Sequence, residues 1–273
     1  MVRRTCRILG GNMNITFVNP GVEYMLARIL DFQTEEASSF WTEPLYYFYP
    51  QLDREFTKSL KPEERRDYIT SVLRLVYQEL EDTFDQKVIE YASYWDIYRK
   101  QITSALSDAF GIDCNVTFND LRCNVSMNPI EPRFLQEHYF DIFYRNSPRG
   151  AVGECIHEII HFVWFYVWNR TFGDTYEEYE SPSLKWILSE MVVESIMKDS
   201  RLADINPYFP RENGGCIYPY FFTMMVDGEL ILDTLDRMYR SLEITEFMKS
   251  AYFYCQKHEK EIREHIRKSE EFA

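Results

Sequence analysis

The sequence predicts a predominantly helical α+β fold, and three observations carry that reading. Apolar residues recur at helical spacing over most of the first 110 residues. The chain then changes to short β-prone runs separated by turn residues. After these come two strongly apolar segments, each opened by a serine and a proline, the pair that caps a helix and starts its first turn.

The elements follow in order. Residues 14–20, NITFVNP, read as a strand, which leaves the first twelve residues as an extension outside the fold. Residues 21–32 place Val22, Met25, Leu26, Ile29 and Leu30 on one helical stripe. Residues 39–53 are aromatic and punctuated by proline, a composition that packs rather than dangles. Ile69, Val72, Leu73, Val76 and Leu80 define an amphipathic helix over 62–82, with Pro62 near its start. Another helix or two fill 84–110, ending at Gly111.

Residues 112–118 and 122–127, broken at Asn119-Asp120, read as a β-hairpin, and 136–145 as a further strand. Helices are expected over 147–168 and from Ser181 onward, then, after a Gly/Pro/Tyr-rich loop over 204–222, over 228–242 and 245–269. The last of these is highly charged, so His258 and His265 are expected in solvent. The organisation divides into an N-terminal strand and helical region, 1–110, and a region carrying the chemistry, 111–273; one continuous domain is the alternative.

The chemistry is concentrated in His157-Glu158-Ile159-Ile160-His161. Two histidines four apart lie about one turn from each other on one helix face, so both imidazoles reach a single metal ion. A glutamate beside the first histidine is placed to take a proton from a water that the metal acidifies. The helix around them is apolar from Ile156 onward and is therefore expected to be buried. Buried imidazoles and carboxylates need partners, and a metal supplies one; a core histidine pair satisfied by hydrogen bonds is the bland alternative.

Catalytic zinc takes three protein ligands, so one more donor is required. Glu190 and Glu194 lie four apart, hence on one face, within SPSLKWILSEMVVESIMKD. His138 is a weaker candidate because no spacing supports it. An H-E-x-x-H motif followed tens of residues later by a helical glutamate resembles the gluzincins, the thermolysin-like zinc metallopeptidases. The resemblance covers residues 134–200 and implies that His157, His161 and Glu190 bind one Zn²⁺ per chain, with Glu158 as general base. It further implies that Glu194 orients His157, and that a small antiparallel sheet precedes the H-E-x-x-H helix in a zincin-like arrangement. Glu154 departs from the pattern, because three positions before the first histidine these enzymes usually carry an uncharged residue. For the oxyanion donor Tyr218 is favoured, since Gly214-Gly215 lets its loop approach the site; Tyr220, Tyr176 and Tyr179 remain open.

The net charge of −14 argues against nucleic acid and anionic membrane as partners and favours neutral or basic substrates. No stretch is apolar enough to span a bilayer. Six cysteines without a C-x-x-C pair read as reduced thiols of a cytoplasmic protein, in which the sequons at Asn14, Asn115, Asn124 and Asn169 carry no meaning. The expected function is zinc-dependent hydrolysis of a peptide or protein substrate. A non-catalytic zinc-containing regulatory or interaction protein is the alternative, and the intact Glu158 weighs against it.

Overall fold

A computed structural model describes residues 13–206, 210, 211 and 215–271; the extension expected over 1–12, with Cys6 inside it, lies outside the described residues. Strand β1 (Ile15–Val18) leads into helix α1 (Val22–Asp31), whose stripe of Met25, Leu26, Ile29 and Leu30 is buried as its spacing requires. The aromatic stretch forms α2 (Ser39–Phe48) despite Pro44, then α3 (Arg54–Ser59), where the Asp53 carboxylate caps the Phe56 amide at 2.8 Å. What reads as two or three helices is one: α4 runs unbroken from Pro62 to Phe110, 49 residues, or about 73 Å at 1.5 Å per residue. Neither glycine nor proline interrupts it after Pro62, and Gly111 ends it in the left-handed conformation at φ 64°.

The expected hairpin does not form. Asp113 accepts from the Asn115 amide at 3.0 Å and starts a short helix α5 (Cys114–Thr117) where the first strand was expected. The second run forms strand β2 (Leu121–Ser126), followed by β3 (Arg133–Phe134) and β4 (Tyr139–Phe143). The sheet order is β1-β2-β4-β3, with β1, β2 and β4 parallel and only the edge strand β3 antiparallel to β4. The antiparallel sheet implied by the resemblance is therefore mixed. Burial explains it: five of the six residues of β2 are buried, the mark of a central strand covered on both faces. Because β1 pairs with β2 and α4 packs on α6, sheet and core both run across the 110/111 division.

Helix α6 (Pro148–Phe172) begins where its cap predicts, the Ser147 hydroxyl accepting from the Gly150 amide at 3.0 Å. Helix α7 (Leu184–Met197) begins two residues later than expected, because Ser183 and not Ser181 caps it, accepting from the Trp186 amide at 3.0 Å. Both helices are buried nearly all round and pack against each other. Helix α8 (Ser200–Ala203), a β5–β6 hairpin (Met225–Val226, Glu229–Leu230) and helices α9 (Ile231–Ser241), α10 (Ile244–Lys257) and α11 (Glu259–Glu271) complete the chain. His258 is not solvated: it is 4% exposed at the α10–α11 junction, 3.1 Å from Asp227. His265 is half-buried, its Nε2 2.8 Å from the Tyr220 carbonyl. Among the described residues no helix is long and apolar enough to cross a membrane. Cys114, Cys123, Cys155, Cys216 and Cys255 are free thiols.

Candidate metal centre

The packing of α6 on α7 brings His157, His161 and Glu190 together, with ligand-capable atoms all within 4.8 Å of one another. The two imidazoles meet at Nε2, 3.1 Å apart, and Glu190 Oε2 lies 3.6 Å from His157 Nε2 and 3.5 Å from His161 Nε2. His161 is fully buried, and Glu190 is 1% exposed. His157 is oriented from behind, its Nδ1–H donating to the Cys216 carbonyl at 3.0 Å; an acceptor there fixes the proton on Nδ1 and turns Nε2 toward the cluster.

The electrostatics describe a site that demands positive charge. Burial, followed by the Arg133 guanidinium, pushes His161 down to about 3, so it stays neutral with an available lone pair. For His157 burial works the other way from its partners, and the Glu190 hydrogen bond with the charges of Glu158, Glu190 and Glu154 prevails, raising it to about 9. Burial likewise opposes ionisation of Glu190, yet His161, Arg133 and His157 hold it well below the usual carboxylate range. Three buried polar atoms here, His161 Nδ1, Glu158 Oε2 and Glu190 Oε1, have no hydrogen-bond partner. Two imidazoles and a carboxylate are the donor set of a zinc site with one position open, so these residues fit the ion.

Glu158 sits beside the cluster, 6% exposed, with Oε1 4.0 Å from His157 Nε2; burial raises its carboxyl to about 7 against the opposing pull of Arg133 and His157. All of this opens on a cavity of about 700 Å³ bordered by His157, Glu158, Glu190, Trp41, Trp186 and Tyr218. Tyr218 is the one expected oxyanion donor on that wall. Its ring stacks on Tyr220 at 5.5 Å and packs against Trp186 and Trp41, both at 5.7 Å. Tyr179 is instead stacked on Phe165 in the core, with Tyr176 against it. Gly214 lies outside the described residues, but Gly215 is at φ 66°, where a Cβ would fall 2.2 Å from the Phe222 ring.

Two expectations are not met. Glu194 does not face His157; its carboxylate is held by Arg211 at 2.6 Å and Lys198 at 3.0 Å. The orienting contact on His157 is a backbone carbonyl, which no residue-type pattern announces. His138 is in the turn before β4, not on a strand, at φ 56° and 2.9 Å from Asp120. The residue that sequence reasoning missed is Arg133, on edge strand β3. Its Nη1 is 2.8 Å from Glu190 Oε1 and 3.8 Å from Glu158 Oε2. The signal for it was charge balance, because two carboxylates expected in a buried helix pair require a cation nearby.

Compared with known proteins, the chain matches no family model, and no curated protein and no solved structure matches it.

Proposed function

We propose that this protein is a zinc-dependent hydrolase of the gluzincin type acting on peptide bonds. The observation that carries the reading is the convergence of His157, His161 and Glu190 within 4.8 Å on two buried helices, beside a cavity that His157, Glu190 and Glu158 border. Zinc in that place supplies an acidified water and a Lewis acid for the scissile carbonyl. The chain's own residues do the rest. Glu158, with a carboxyl near neutrality, accepts the proton of the attacking water and returns it to the departing amine. The Tyr218 hydroxyl, on the cavity wall, donates to the oxygen that gains charge as the carbonyl carbon becomes tetrahedral. Arg133 neutralises Glu190 from the side away from the histidines and keeps that carboxylate ionised.

Glu158→Gln tests this directly. The variant is expected to bind about one zinc per chain, as the wild type does, and to lose at least about 100-fold in chelator-sensitive peptide hydrolysis. Undiminished hydrolysis by the variant would rule the mechanism out.

A further inference from the structure

Helix α11 is weakly anchored for an element that holds part of the cavity wall. Of its thirteen residues only Ile262 and Ile266 are apolar, and only Ile262 is fully buried. An isolated helix of this length is marginal in water, so α11 depends on its docking. Two ion pairs within it, Arg263–Glu259 and Lys268–Glu264, both at 2.7 Å and four residues apart, favour the helical form but tie it to nothing else. Polar contacts dock it at two places. Arg263 Nη1 donates to the Pro182 carbonyl at 2.7 Å, and His265 Nε2–H donates to the Tyr220 carbonyl at 2.8 Å, with the Thr223 hydroxyl at 3.3 Å.

These contacts bear on the aromatic wall of the main cavity. Tyr220 belongs to the turn Pro219–Thr223, on which α11 packs, and its ring stacks on Tyr218 at 5.5 Å. Helix α11 also packs on α2, which carries Trp41, and Trp41 lies 5.7 Å from Tyr218. Under the helix is a gap, a second cavity of about 170 Å³ bordered by Trp41, Pro182, Trp186, Arg263 and Ile266. Trp41 and Trp186 border the main cavity as well, so the two spaces share both indoles. Well-packed interiors leave few voids larger than a water molecule, so α11 bridges this base rather than filling it. At its start α11 joins α10 through one residue outside both helices, His258, which at 4% exposed is itself anchored.

We propose that α11 is a detachable strap on the candidate metal centre. Docked, it holds Tyr218 and Trp41 in the cavity wall. Undocked about His258, it opens the smaller cavity to solvent and frees the wall from behind. His265 is the positioning residue, acting on Tyr218 through the Tyr220 backbone. The strap governs access to the cavity whatever reaction takes place there, so it stands apart from the hydrolytic reading.

Native-state hydrogen exchange of the purified full chain tests the strap without ligand or turnover. Amides of residues 263–270 are expected to exchange together, about 100-fold less protected than those of α6 and α7. Acrylamide quenching of tryptophan fluorescence reads the wall, because Trp95, Trp164 and Trp168 are at most 1% exposed and leave Trp41 and Trp186 as the accessible pair. In His265→Ala, α11 is expected to exchange about tenfold faster, for the loss of one net hydrogen bond, and quenching is expected to rise. His265→Gln keeps an N–H donor on that side chain and is expected to restore both. Protection of α11 equal to that of α6 and α7 overturns the strap. Faster exchange in His265→Ala with unchanged quenching overturns it too, since α11 is then a loose helix uncoupled from the cavity. Failure of His265→Gln to restore quenching overturns the role of His265.

Discussion

Two buried polar clusters in this protein are built on opposite principles. In the sheet, Asp141 on β4 is fully buried, and its Oδ1 accepts from the Tyr24 hydroxyl at 2.8 Å and the Asn124 amide at 2.9 Å. Neutral donors tie α1, β2 and β4 together, and burial pushes the Asp141 carboxyl up to about 6. Between α6 and α7, Glu190 is as deeply buried, yet it is held well below the usual range because imidazoles and a guanidinium surround it. The first cluster satisfies Oδ1 with neutral hydrogen-bond donors, while the buried Oδ2 has no hydrogen-bond partner. The second aims donor atoms of His157, His161 and Glu190 at a common point, with Arg133 beside Glu190 at 2.8 Å. Burial of a carboxylate therefore does not by itself mark a candidate site; the convergence of several donor atoms does.

The largest expected effect breaks the second cluster outright. His161→Ala and His157→Ala each remove one of three donors, and zinc content of the purified chain is expected to fall from about one per chain to near zero. Metal analysis beside far-ultraviolet circular dichroism checks it. A folded variant that keeps full zinc would mean that the metal binds elsewhere.

A sharper test separates two glutamates one turn apart on α7. Glu190→Ala removes a ligand and strands Arg133, whose side chain is 12% exposed, with only the 3.8 Å contact to Glu158. Loss of zinc and about 3–5 kcal/mol of destabilisation are expected together, as when one partner of a buried ion pair is deleted. Glu194→Ala removes one carboxylate from Arg211, which keeps Asp233 at 3.0 Å, and from Lys198; their side chains are 20% and 27% exposed. It is expected to cost stability, about 1–2 kcal/mol, and to leave zinc stoichiometry unchanged. Denaturant unfolding and metal analysis on both variants decide the ranking; zinc loss in Glu194→Ala alone would reverse the assignment.

What was legible in the sequence follows from which interactions are local. The two helices of the candidate metal centre were readable because apolar periodicity, Ser147 and Pro148 are local signals, and the H-E-x-x-H spacing sets a distance along one helix. The register of α7 was misread by two residues because Ser181 and Ser183 offer the same chemistry, and only backbone geometry chooses between them. Parallel pairing of β1 with β2, across more than a hundred residues, leaves no mark in either strand beyond burial on both faces. Charge balance called for a cation but could not single out Arg133, since its partners Glu158 and Glu190 are remote in sequence and meet it only through the edge strand. His258 shows the converse: a charged tract suggests solvent, and tertiary packing overrides it.

The smallest expected effect concerns the sheet cluster and inverts the usual result of mutating a buried acid. Asp141 titrates near 3.8 in the unfolded chain and near 6 in the folded one. Between those values the native chain holds a proton that the unfolded chain has released, so stability falls as pH rises through the window and is level above it. At pH 7 the ionised, buried carboxylate thus costs about 3 kcal/mol relative to its protonated form. Asparagine at this position still accepts from Tyr24 and Asn124 through its carbonyl and cannot ionise. Asp141→Asn is therefore expected to stabilise the protein at pH 7 by roughly 1–2 kcal/mol, the remainder being lost to weaker, uncharged hydrogen bonds. It is also expected to flatten the pH dependence of denaturant unfolding between about 4 and 6, and to leave zinc binding untouched. A variant less stable than wild type at pH 7, with its slope intact, would show that this carboxylate, like Glu190, depends on positive charge that its neighbours supply.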